Sequence, residues 1–200
     1  IRSAGCLIRG LSFNGGSSTG GGILLDDDGG TAKNAFGTVI EDCFFKNCKG
    51  HATDGRLGGA IYWPAAGNSW QVRIAHNRFY KNVADIVVVG TSGSVPQDVV
   101  IEGNHFSGPA ASVDVNIFTG GSGVNGIHIH DNVFPALPAL SSGSVLRFMD
   151  LTGSVGIVSK NFFGRATVND FGAAGASAKI PTTVFVVGNW GESATLVTRA

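Results

Sequence analysis

The sequence predicts an all-β solenoid, a parallel β-helix of about seven rungs. Three observations carry this. One short phrase recurs every 27 to 35 residues along the chain. Within each copy, apolar residues stand two apart, as on a strand with one face buried. An asparagine and then a phenylalanine return at fixed offsets, which stacking would turn into an Asn ladder and a Phe stack.

The clearest copy is Ile127-His128-Ile129-His130-Asp131-Asn132-Val133-Phe134. Aligned on Asn132, the anchor position holds Leu11, Asp42, Asn77, Asn104, Asn132, Asn161 and Asn189. Two residues later come Phe13, Phe44, Phe79, Phe106, Phe134, Phe163 and Gly191. Three before the anchor come Ile8, Val39, Ile74, Ile101, Ile129, Val158 and Val186, and five before it Cys6, Gly37, Val72, Val99, Ile127, Gly156 and Val184. The two preceding columns read as the inward positions of a strand. Asparagine tolerates left-handed backbone and bonds locally, so the anchor reads as a corner. A buried Phe at each rung contributes roughly 1.5–3 kcal/mol.

A second strand follows in most periods: Gly22–Leu25, Ala60–Trp63, Ile86–Val89, Val115–Phe118 and Leu146–Met149. A third, shorter strand carries the Phe column. Periods of this length are too short for a helical crossover in every turn.

Composition bounds the rest. Two hundred residues hold one domain spanning 1–200, and 31 glycines suit a turn-dense solenoid. Charged residues make up 14% against about 25% in typical soluble chains, and net charge is zero. No basic patch points to nucleic acid. No apolar run approaches the ~18 residues of a membrane span. The first rung begins without a polar cap, so the chain reads as a fragment of a longer protein. Three cysteines, Cys6, Cys43 and Cys48, fit no closed disulfide framework. Folding in a reducing compartment is the simpler reading, and a Cys43–Cys48 bridge stays open. No metal site or cofactor is expected: the acidic turn Asp26-Asp27-Asp28 lacks calcium-loop spacing.

The Asn ladder and Phe stack resemble the right-handed, single-stranded parallel β-helix of the pectate-lyase-like superfamily, over nearly the whole chain. The segments Phe44-x-x-Asn47 followed by Gly58–Ile61, and Phe13-Asn14 followed by Gly21–Ile23, are similar to repeats of β-helical adhesins. The superfamily includes polysaccharide lyases, glycoside hydrolases, phage tailspikes and adhesins, so the resemblance speaks to fold more than chemistry.

Candidate site residues fall into three groups. Asp85 and Asp114 each precede a second-type strand on adjacent rungs. In equal register they would lie about 5 Å apart, a spacing suited to a retaining glycosidase. The plainer reading is two solvated strand-edge aspartates. The long polar insertion from Lys46 to Leu57 holds His51, Asp54 and Arg56, and long loops on rigid scaffolds often carry function. Beside it stand Tyr62, Trp63, Trp70 and Arg73, where aromatic faces and an arginine suit sugar binding. Trp63 also fits an inward core position, whereas Tyr62 and Trp70 read as outward.

The third group is the outward face of the first-type strand. One column reads Thr38, Arg73, Val100, His128, Ile157 and Phe185; the other reads Arg9, Ile40, Ala75, Glu102, His130, Ser159 and Val187. Arg73, Glu102, His128 and His130 converge there, as an acid/base cluster or as an ion-paired surface. Toward the C-terminus the face turns apolar, the mark of a contact surface. A trimer of side-by-side β-helices, as in the tailspikes this chain resembles, would bury it.

The expected function is therefore a virion spike or tail-fibre-like protein. It would bind, and in one variant cleave, host cell-surface polysaccharide. Its partners would be other virion proteins and two copies of itself, without nucleic acid or membrane insertion. A secreted polysaccharide lyase or glycoside hydrolase, and a non-catalytic cell-surface adhesin, are the alternatives.

Overall fold

The computed structural model describes residues 1–16, 21–25, 35–49, 59–63, 69–90, 95–107, 115–134, 147–164, 171–172, 178–191 and 196–197. Among these the protein is all β, and the strands sort into three sheets. The first sheet stacks Leu7–Arg9, Val39–Glu41, Arg73–Ala75, Gln97–Glu102, Asn125–His130, Val155–Ser159 and Val184–Val187. The second stacks Ser12–Asn14, Phe44–Lys46, Arg78–Tyr80, His105–Phe106, Val133–Phe134, Phe162–Phe163 and Asn189–Gly191. The third runs Ile23–Leu24, Gly59–Trp63, Ala84–Gly90, Val115–Gly121, Arg147–Asp150, Ala178–Lys179 and Phe171–Gly172. Neighbouring strands in these stacks are parallel. The exception is Leu196–Val197, which closes the second sheet by pairing antiparallel with Asn189–Gly191. The chain is thus a parallel β-helix.

The phenylalanine column is a continuous stack. Phe13, Phe45, Phe79, Phe106, Phe134 and Phe163 lie ring on ring, with centroids 4.8, 5.1, 5.0, 4.7 and 4.7 Å apart and near-parallel planes. Strand spacing, about 4.8 Å, sets this separation. Beside it runs the asparagine ladder. The Oδ1 of Asn104 accepts from the backbone N–H and side-chain amide of Asn77, at 2.9 and 3.1 Å. The Asn104 amide in turn donates to Asn132 Oδ1 at 3.0 Å and to the Ile74 carbonyl at 2.9 Å. Asn132, Asn161 and Asn189 repeat the pattern. Each buried amide satisfies backbone groups that the corner would otherwise leave unpaired.

Two details of the repeat differ from the sequence expectation. In the second rung the frame moves by one residue. Ile40, not Val39, pairs with Ile74, and Phe45, not Phe44, pairs with Phe79. Cys43 rather than Asp42 therefore occupies the anchor, and its N–H donates to Asn77 Oδ1 at 2.9 Å. Phe45 is fully buried and Phe44 is 37% exposed. Thr38 and Ile40 consequently point inward, and Val39 and Glu41 take the outward positions.

The second difference concerns the corner itself. The left-handed residue is the one before the asparagine. Gly10, Asp42, His76, Gly103, Asp131, Lys160 and Gly188 all have φ between 54 and 68°. The turn is made there, which frees each asparagine to aim inward and bond along the stack. Glycine is needed for close approach at Gly123, where an added Cβ would sit 2.2 Å from the Gly153 carbonyl carbon.

A second, shorter ladder repeats this logic between the second and third sheets. Asn82 Oδ1 accepts from the Cys48 N–H at 2.8 Å, after left-handed Asn47 and Lys81. All three cysteines are free, and burial pushes the Cys48 thiol up. The inner core then gathers Ile61, Ile86, Ile117 and Met149 of the third sheet with Ile74, Ile101 and Ile129 of the first. No helix among the described residues is long and apolar enough to cross a membrane.

Candidate functional site

A solid β-helix has no interior to bind in, so its chemistry lies on the outward faces of its sheets. Alternation sets which residues point there. The three faces differ.

On the third sheet, the expected aromatic site is internal. Trp63 is fully buried in the main core. Tyr62, expected outward, is 7% exposed and packs with Ala84, Val87 and Val115 in a satellite cluster. These residues, with Val89 and Phe118 packed against them, bury each other, which removes the tyrosine ring from solvent. Trp70 is the exposed member, at 39%, where the chain approaches the first sheet through a bridge to Gln97.

Asp85 is also internal, at 1% exposure. Its Oδ1 accepts from the Asn82 amide at 2.8 Å and its Oδ2 from the Asn116 amide at 2.7 Å. Pairing of Val115 with Ala84 and Ile117 with Ile86 puts Asn116 across from Asp85. The equal register that would set Asp114 opposite Asp85 is not the one formed, and Asp114 lies outside the described residues. A carboxylate with both oxygens bonded to buried amides acts as a rung of the scaffold. The turn Asp26–Asp28 and the insertion residues His51, Asp54 and Arg56 likewise lie outside the described residues.

On the first sheet, the expected convergence of Arg73, Glu102 and His130 forms, and the one-residue frame change adds Glu41. Arg9 bonds Asp42 at 2.9 Å and approaches Glu41 at 3.6 Å. Arg73 bridges Glu41, at 3.1 Å, and Glu102. His130 reaches Glu102 through Nε2 at 3.1 Å and Asp131 through Nδ1 at 2.7 Å. His128 lies against His130, ring centroids 4.2 Å apart. Partial burial, and secondly the neighbouring His130, hold the His128 pKa below the ordinary histidine value. Positive and negative groups alternate along the prism, so each arginine of this cluster is met by carboxylates. At its far end Ile157, Phe185 and Val187 follow, and Phe185 is 75% exposed.

The second sheet presents a face that the repeat alignment does not single out. Its outward column reads Ser12, Phe44, Arg78, His105, Val133, Phe162 and Trp190. A parallel column adds Asn14, Lys46 and Tyr80, with Ser107 one rung further. Between the columns lies a groove of about 320 Å³ lined by Phe44, Lys46, Arg78, Tyr80, His105 and Ser107, with Phe79 at its floor. Tyr80 is 39% exposed, and the Lys81 ammonium sits 5.2 Å from its ring centroid. No carboxylate lines the groove, and none forms an ion pair with Lys46 or Arg78 among the described residues. Further along, Phe162 and Trp190 continue the aromatic stripe at 43% and 51% exposure. Trp190 stands on this outer column, and Gly191 takes the last place in the phenylalanine column.

No family model, no curated protein and no solved structure matches this chain. Its classification as a parallel β-helix thus rests on its own strand pairing. Among the described residues no cluster of histidine, cysteine and carboxylate side chains could hold a metal.

Proposed function

We propose that this chain is part of a polysaccharide-binding β-helix of the tailspike kind, within the pectate-lyase-like group, acting at the surface of a virion. Its ligand is a polysaccharide on the host cell surface, and its assembled form is a homotrimer. The observation that carries the reading is the second-sheet groove, where exposed aromatic rings stand beside hydrogen-bond donors on a rigid, straight face. Ring faces of Phe44 and Tyr80 stack on the apolar C–H face of a sugar, and Arg78 and His105 reach its oxygens. A solenoid keeps such a row in line with an extended polymer, with little ordering cost on binding. The outward apolar stripe of half-buried Ile157 with exposed Phe185 and Val187 supports the trimer, as an apolar contact surface. Cleavage is not part of the proposal, because Asp85 is committed to the scaffold.

Native gels containing purified capsular and lipopolysaccharide glycans test the reading, together with the mass in solution by light scattering. The expected result is retardation by at least one glycan, lost in Phe44→Ala/Tyr80→Ala, and a trimeric mass. A monomer that no glycan retards overturns it.

A further inference from the structure

We infer that the second-sheet groove selects an acidic polysaccharide, one bearing carboxylate, phosphate or sulfate groups along its chain. This rests on the polysaccharide reading above and narrows it to a substrate class.

The argument is one of charge accounting on two faces of one prism. The chain has equal numbers of acidic and basic residues, so a local excess of either sign must be produced by placement. On the first sheet every arginine of the cluster meets carboxylates: Arg9 meets Glu41 and Asp42, and Arg73 meets Glu41 and Glu102. On the second sheet Lys46 and Arg78 stand on adjacent strands, paired Phe44 to Arg78 and Lys46 to Tyr80, with no carboxylate on either column among the described residues. His105 follows Arg78 on the next strand. The cations are therefore presented, not consumed.

The column neighbours of these cations are aromatic rather than acidic. Arg78 lies in its column between Phe44 and His105. The floor beneath is Phe79, buried in the stack. A guanidinium is weakly hydrated and offers a planar fork to an anionic oxygen pair. Strand spacing of about 4.8 Å is of the order of one sugar unit, so successive rungs can meet successive residues of a chain laid along the axis. The aromatic positions supply stacking, and Lys46 and Arg78 supply the preference for anions. Phe162 and Trp190 extend the same track beyond the cationic section.

The test is isothermal titration of the chain against alginate and dextran sulfate as acidic probes, dextran as a neutral probe, and duplex DNA as a polyanion that is not a sugar. Arg78→Gln and the first-sheet control Arg73→Gln are titrated alongside, each checked for an unchanged circular dichroism spectrum. The inference expects at least one acidic glycan to bind about tenfold more tightly than dextran, and Arg78→Gln to erase that difference. Alginate against dextran sulfate tells carboxylate from sulfate recognition. Equal binding to acidic and neutral glycans overturns the anionic selection and leaves polysaccharide binding standing. Binding to none of the glycans overturns both. DNA bound as tightly as the best glycan overturns the glycan as occupant, and a preference that survives Arg78→Gln overturns the groove as its site.

Discussion

The outward faces of the first and second sheets are built on the same plan and end in opposite states. Each has two columns of side chains at strand spacing, and each contains an arginine between neighbours from the strands above and below. On the first sheet those neighbours are acids, and Arg73 is bound on both sides by Glu41 and Glu102. On the second sheet Arg78 stands between Phe44 and His105, with no acid on the face among the described residues. The solenoid thus separates two uses of charge. One face spends its charges on holding successive rungs together, and the other leaves them for a ligand.

The ladder beneath both faces gives the largest expected effect. Asn104→Ala removes an amide that accepts from Asn77 and donates to Asn132 and the Ile74 carbonyl. Two or three buried polar groups then lack partners, at about 1–3 kcal/mol each, so urea unfolding should show a loss of about 3–5 kcal/mol. A loss below about 1 kcal/mol would mean that the corner holds its shape without the ladder. Next comes Arg78→Gln, expected to weaken binding of an acidic polysaccharide about tenfold, with the urea midpoint unchanged. This separates binding from stability on the second face.

Arg73→Gln should do the reverse. It leaves Glu41 and Glu102 facing each other without their shared cation, and the expected cost is about 1 kcal/mol, reduced by added salt. Polysaccharide binding should stay as in the parent chain. Thermal melts across salt concentrations check the first part and titration the second.

The smallest effect concerns pH. His128 in the folded chain has a pKa below its ordinary value, so in the window just below about 6.5 the unfolded chain binds more protons there. Its contribution is harmless above that window, and stability is lost as pH falls through it. His128→Gln should therefore flatten the decline of the melting temperature between about pH 7.5 and 5. A steeper decline in the variant would reverse the sign of this argument.

Much of the fold was legible because stacking repeats its demands. A residue that must bond the rung above and the rung below recurs at each rung, and so does a ring that must stack. The frame was misread in the second rung alone, where Asp42 resembles an anchor asparagine and two phenylalanines follow in succession. The feature that decides it is the left-handed residue before each anchor. Gly, Asp, His and Lys all fill that position, so residue type hides what backbone geometry makes uniform.

The candidate site was less legible. The first-sheet cluster could be assembled from the alignment, but whether its charges pair depends on Glu41, which the one-residue frame error left out of the outward columns. The groove lies in the column between the asparagine and phenylalanine positions, where Phe44, Arg78 and His105 share no chemical type and stand 27 or more residues apart. With Phe44 assigned to the core, nothing in that column suggested a surface. Tyr62 was misleading for a related reason, whereas Trp63 takes the inward core position that also fitted it. An aromatic pair on a strand looks the same in sequence whether its outer side meets solvent or, as for Tyr62, a second apolar cluster.

The most direct test sets the two arginines against each other. Arg73→Gln and Arg78→Gln are titrated with the same acidic polysaccharide under the same conditions. The account predicts parental affinity for Arg73→Gln and about a tenfold loss for Arg78→Gln. Equal losses, or a loss confined to Arg73→Gln, would contradict it and move the binding face to the first sheet.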